Sequence, residues 1–150
     1  MSKTTLQVRL YPTSEQSHLL MAHCQDYIST ANVLVAAFES GVLEGQVSTK
    51  DFSACLPSAV KNQALRDAQS LFKRAFELGC LPVLKKPICQ WNNQNWRIQD
   101  TMLMLPVWRD GKTQQVRIRS AEMAMEGKRT QQSARPNLCV CCVRMDGPSR

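Results

Sequence analysis

Leu6-Gln7-Val8-Arg9-Leu10-Tyr11-Pro12-Thr13-Ser14-Glu15-Gln16 carries an alternating segment through a proline into the start of a helix. Leu6, Val8 and Leu10 fall on one side of a period-2 pattern, and Gln7, Arg9 and Tyr11 on the other, which marks a half-buried strand. Pro12 has no N–H to give a ladder, so the strand stops there. Thr13 is placed to accept a hydrogen bond at the helix N-cap, and Gln16 to reach back and complete a capping box. A chain that leaves a strand for a long helix this early is expected to insert helices into a sheet, giving the α+β class.

Outward from that start, Leu20, Cys24, Tyr27, Ala31, Leu34 and Phe38 recur at spacings of three and four. They predict one apolar stripe on a helix of about six or seven turns, stopped at Gly41. The segment from Val42 to Cys55 reads as a connection with a short helical turn around Asp51 to Ala54. Leu56-Pro57-Ser58 opens a second helix, with proline tolerated in the first turn. Its buried face is expected to be Ala64, Ala68, Leu71 and Ala75, flanked by Leu65, Phe72 and Phe76, with Gly79 as its end. The two helices are expected to pair antiparallel, leaving Lys61, Asn62, Arg66, Gln69, Lys73 and Arg74 outward. That face is either solvated helix surface or a basic helix that follows a nucleic-acid backbone.

From Leu81 the pattern changes to short strands. Met102 to Trp108 and Gln115 to Arg119 flank Arg109-Asp110-Gly111-Lys112, and Asp-Gly between alternating segments predicts a β-hairpin. Val116 and Ile118 point one way, so Arg117 and Arg119 share the opposite side, with Arg9 a possible neighbour. Arginines on one sheet face suit phosphates or base edges; a solvated polar side explains them equally well. Between helix and hairpin, Lys85, Lys86, Trp91, Trp96 and Arg97 lie among amide side chains, and the two tryptophans are candidates for stacking on bases or for the core. Asn92-Asn93 reads as a turn, with Trp96 to Ile98 returning as a strand.

The formal charge of +7 is unevenly placed. Residues 1–79 carry as many acids as bases, and the whole excess lies in residues 80–150. Such an asymmetry fits a phosphate-binding surface, though charge alone does not require one. Seven cysteines at irregular spacing do not make a disulfide framework. Cys139, Cys141 and Cys142 lack the second Cys-x2-Cys pair of a structural zinc site, so no metal or other cofactor is expected. With no long apolar run and no leader pattern, the reading is cytoplasmic, without a membrane partner or a small-molecule substrate.

In that order, the strand-turn-helix at Val8 to Gln16, the second helix with Gln63-Ala64-Leu65-Arg66-Asp67 and Phe72-Lys73-Arg74-Ala75-Phe76, and the ending Val116-Arg117-Ile118 resemble the N-terminal part of TnpB proteins. These are the OrfB accessory proteins of transposon insertion sequences, relatives of compact type V CRISPR effectors. The resemblance runs from about Thr5 to Gly127 and implies a partial wedge-type β-barrel interrupted by a helical recognition lobe. Residues 5–12 would form its first strand, 13–79 the lobe, and 80–127 the remaining strands with the hairpin 102–119. Family proteins are RNA-guided DNA endonucleases, so the resemblance implies guide RNA and double-stranded DNA as partners of the intact protein. It makes Arg9, Tyr11, Lys61, Arg66, Lys73 and Arg74 candidate contacts; Lys85, Lys86, Trp96, Arg97, Arg117 and Arg119 join them from the reading of the strands.

The chain departs from the family beyond residue 128. Residues 128–150 have no period and are expected to be an irregular tail, from a frame truncated or shifted near there. Neither the spaced carboxylates of the family's nuclease nor its zinc ribbon is found, so the expectation is a binding fragment without catalysis. A helix-turn-helix regulator ranks second, because its helices would need a turn of three or four residues and the connection from Gly41 to Leu56 is far longer. A free-standing enzyme ranks third: His18 and His23 share a helix without a catalytic constellation and read as surface or packing residues.

Overall fold

The computed structural model describes residues 9–91, 96–121 and 138–141. Its elements, in chain order, are β1 (Leu10–Tyr11), α1 (Ser14–Ser40), a 3-10 turn (Thr49–Asp51), α2 (Ser58–Leu78), β2 (Ile88–Trp91), β3 (Arg97–Gln99), β4 (Met102–Arg109), β5 (Lys112–Ser120) and β6 (Leu138–Cys141). The molecule is α+β, as the opening stretch predicts. Leu6 to Val8, the front of the expected first strand, and the Asn92-Asn93 turn lie outside the described residues.

The start of α1 is built as its sequence reads. Gln16 N–H donates to the Thr13 hydroxyl at 3.2 Å, and Thr13 N–H donates to the Gln16 side-chain oxygen at 3.0 Å. Two of the helix's orphan donors are thereby satisfied. At the far end Gly41 takes φ 79°, a left-handed conformation that costs glycine little, and its N–H reaches Phe38 O at 3.3 Å. The stripe from Leu20 to Leu34 is buried as expected.

Four strands form one antiparallel sheet in the order β1-β5-β4-β3, and β2 pairs with β6 in a separate two-stranded ribbon. The β4–β5 hairpin turns at Asp110 and Gly111, with φ of 54° and 75°. Positive φ at both central residues is what a two-residue I′ turn needs, and its twist matches that of the strands it joins. One side of the sheet, with Leu103, Leu105, Val107 and Ile118, joins Cys24, Tyr27, Val60, Ala64 and Trp91 in the main core. Each such large apolar side chain contributes about 1.5–3 kcal/mol by leaving water.

The described strands form an open four-stranded sheet and a two-stranded ribbon, and no closed barrel is found among the described residues. Three expectations need correction. The two helices run in the same direction, not antiparallel: Tyr27 bonds Asp67 and Phe38 packs on Phe72, so positions ascend together. The long link between Gly41 and Pro57 makes this possible by carrying the chain back before α2 begins. After α2 the chain returns along α1, with Asn32 bonded to the backbone of Leu84 and His23 touching Cys89. The tail is not irregular throughout, since β6 pairs residue by residue with β2 and Val140 enters the main core. Finally, Phe76 is 78% exposed. Phe72 already meets Phe38 near the end of α1, so the last turn of α2 has little left to pack on.

No helix among the described residues is long and apolar enough to cross a membrane.

Candidate nucleic-acid interface

The register of the sheet decides which side chains share its outward face. Tyr11 lies opposite Arg119, Arg119 opposite Met102, and Met102 opposite Gln99. The next row holds Arg117, Met104 and Arg97. Strand side chains alternate, so Arg9 falls on the same side as Tyr11, and Trp108 and Thr113 continue the face toward the hairpin turn. Arg9, Arg97, Arg117 and Arg119 are all exposed, and Tyr11 is 53% exposed. Among the described residues of these strands, no carboxylate shares the face.

The face is tied to α1 from behind. Gln16, already in the capping box, donates its side-chain N–H to Arg117 O at 2.6 Å. Arg109 pairs with Glu15 at 2.5 Å, across the same junction. Both partners are well exposed, so that ion pair orients the hairpin more than it stabilises the fold. At the edge, the Arg9 guanidinium sits 5.8 Å from the centre of the Tyr11 ring, a cation–π contact that restrains both side chains.

The residues singled out from sequence fall into three groups. Arg9, Tyr11, Arg97, Arg117 and Arg119 are brought together on the sheet. Arg66, Lys73 and Arg74 are exposed on α2, in the helical layer that covers the opposite side of the sheet, and Lys85 and Lys86 are exposed in the segment leading to β2. Lys61 and Trp96 are occupied otherwise. Lys61 Nζ donates to Thr49 O at 2.9 Å and Phe52 O at 3.1 Å, holding the 3-10 turn against α2. Trp96 is 8% exposed within the main core, so its ring offers no face to a base. Trp91 is fully buried and its indole N–H donates to Pro106 O at 2.8 Å. Among the described residues β3 pairs with β4 only as far as Met104, and no described ladder bond to β3 calls for an N–H at Pro106.

No protein-family model, curated protein or solved structure matches the chain.

Met102, Met104 and Trp108 belong to the face without having been singled out. The signal was present in their parity with Arg117 and Arg119 across the Asp-Gly turn, which fixes cross-strand partners once the turn length is known.

Behind the sheet lies a polar centre of a different kind. His23 is 2% exposed, with Nδ1 3.2 Å from Cys89 Sγ and its ring stacked on Trp91 at 5.4 Å and 8°. Its Nε2 is buried without a hydrogen-bond partner among the described residues. Burial pushes the imidazole down to about 4, so it is neutral at ordinary pH. One turn on, Tyr27 donates its hydroxyl to Asp67, and burial, then that bond to the carboxylate, pushes the phenol up. These groups fasten α1 to β2 and α2.

Proposed function

We propose that this chain is a nucleic-acid-binding module, with the wedge-type strand arrangement and helical lobe of the N-terminal part of TnpB-like proteins. In this reading it grips RNA and target DNA and does not itself cleave them. The observation that carries the reading is the outward sheet face, where Arg9, Arg97, Arg117 and Arg119 lie together without a carboxylate among the described residues. Arginine forks match phosphate oxygens, and each neutralised phosphate releases counterions. Arg66, Lys73 and Arg74 add exposed cations on α2. A helix-turn-helix regulator fits less well, because α1 and α2 are not joined by a tight turn and run in one direction.

The test is a salt titration of binding to a structured RNA hairpin and to duplex DNA, comparing the native chain with the double variant Arg117→Gln, Arg119→Gln. Loss of two phosphate contacts should lower the slope of log K against log salt by about 1.4–1.8. An unchanged slope would remove the sheet from the interface, and no binding at low salt would end the nucleic-acid reading.

A further inference from the structure

We infer that the outward sheet face is a stacking platform for an unpaired segment of nucleic acid, with Tyr11 carrying a base and Arg97, Arg117 and Arg119 holding its phosphates. The inference rests on the nucleic-acid reading above and narrows it from any polyanion to one with free base faces.

Charge complementarity names a polyanion: the arginines of this face have no acidic neighbour on it among the described residues. Shape and chemistry then distinguish single strands from duplex. Reading a duplex groove requires an element that enters it, a helix or a projecting two-stranded ribbon. Here Arg117 and Arg119 stand on β5, with strands on both sides of it, and Arg97 stands on the edge strand β3 of the same four-stranded surface. A broad face of this sort suits splayed bases laid across it, the mode in which sheet proteins stack bases on exposed aromatics.

The details fit that mode. Tyr11 lies on the edge strand, half exposed, where a strand can run on or off the sheet. The Arg9 guanidinium lies over one face of the Tyr11 ring, so a stacked base takes the other face and the ring is held between the two. Met102 is 39% exposed directly across from Arg119, and Met104 sits between Arg117 and Arg97. Cationic and soft apolar groups therefore alternate from strand to strand. Arg117 and Arg119, two residues apart on one strand, are separated by about 6.8 Å along it, the order of the interval between successive phosphates in an extended single strand.

The experiment measures binding of the full chain to short single-stranded RNA, single-stranded DNA and a blunt duplex, for the native protein, Tyr11→Ala and Tyr11→Phe. Tyr11→Ala should weaken single-strand binding about 5- to 150-fold, the usual effect of deleting a stacking ring, while Tyr11→Phe stays within about twofold. Duplex affinity should be unchanged by either. A photoreactive bromouridine strand should crosslink to the peptide containing Tyr11 in the native protein, which decides the matter even if the alanine variant fails to fold. Either sugar meets the inference, and the RNA and DNA arms show which is preferred. Unchanged single-strand affinity in Tyr11→Ala with a native melting curve, an equal loss on duplex, or crosslinks confined to α2 would overturn the platform while leaving nucleic-acid binding intact. Failure of all three probes at low salt would overturn both.

Discussion

Protonation of His23 should destabilise this protein from within, and the size of the effect follows from where the ring sits. The imidazole is 2% exposed, its ring is stacked on Trp91, and burial holds its pKa near 4 against an ordinary 6.5. Between those two values the unfolded chain binds a proton that the folded chain refuses. Stability is then fully present above about pH 6.5 and falls as the pH drops, with the loss complete below about pH 4. The gap corresponds to about 3 kcal/mol, of which about 2.5 kcal/mol is gone by pH 4.5. That is a large share of the 5–15 kcal/mol by which domains usually exceed unfolding.

The perturbation that isolates the term is His23→Phe. Phenylalanine keeps a flat ring against Trp91 and removes both the titrating group and the unpartnered Nε2, at the loss of the contact to Cys89. Urea unfolding of both proteins at about pH 7.5 and pH 4.5 gives four free energies, and the native chain should lose about 2.5 kcal/mol more than the variant. Carboxylates such as Asp26, whose carboxyl burial pushes up, are present in both proteins and cancel. Equal losses would show that His23 does not carry the pH dependence and that its burial is relieved before the chain unfolds.

Two further outcomes test the joints that hold the sheet and helices together. Thr13→Ala removes the capping-box acceptor at the start of α1 and should cost about 1 kcal/mol in urea unfolding; Thr13→Ser should restore most of it. Tyr27→Phe takes the hydroxyl from Asp67 between the two helices and should cost about 1–3 kcal/mol. In a double-mutant cycle with Asp67→Asn the two changes should couple by more than about 0.5 kcal/mol, and simple additivity would show that the bond adds nothing to helix pairing.

Local rules read much of this chain well. The capping box at Thr13 and Gln16, the end of α1 at Gly41 and the hairpin turn at Asp110-Gly111 each depend on a few adjacent residues, and each is in place. The shared side of Arg117 and Arg119 needed only the two-residue period of a strand. Other readings failed where the deciding partner is remote. Trp96 has the neighbours of a stacking residue in sequence, yet the core encloses it. Lys61 has the spacing of an outward helical cation, yet carbonyls of the 3-10 turn hold its amine. Phe76 follows the apolar stripe of α2, but the stripe outlasts the partner helix.

By itself, then, the sequence determined the α+β class, the limits of both helices and the hairpin, because caps, turns and periodicities act over four or five residues. It also set apart the basic residues from which a phosphate-binding face could be drawn. Only the tertiary structure decided that Tyr11 stands beside Arg119 and that Arg97 joins Arg117 across β4, since strand register links residues far apart in the chain. It alone decided the common direction of α1 and α2, and that β6 closes against β2. Those choices turn on which distant apolar surfaces bury one another, and a window of neighbouring residues carries no record of that.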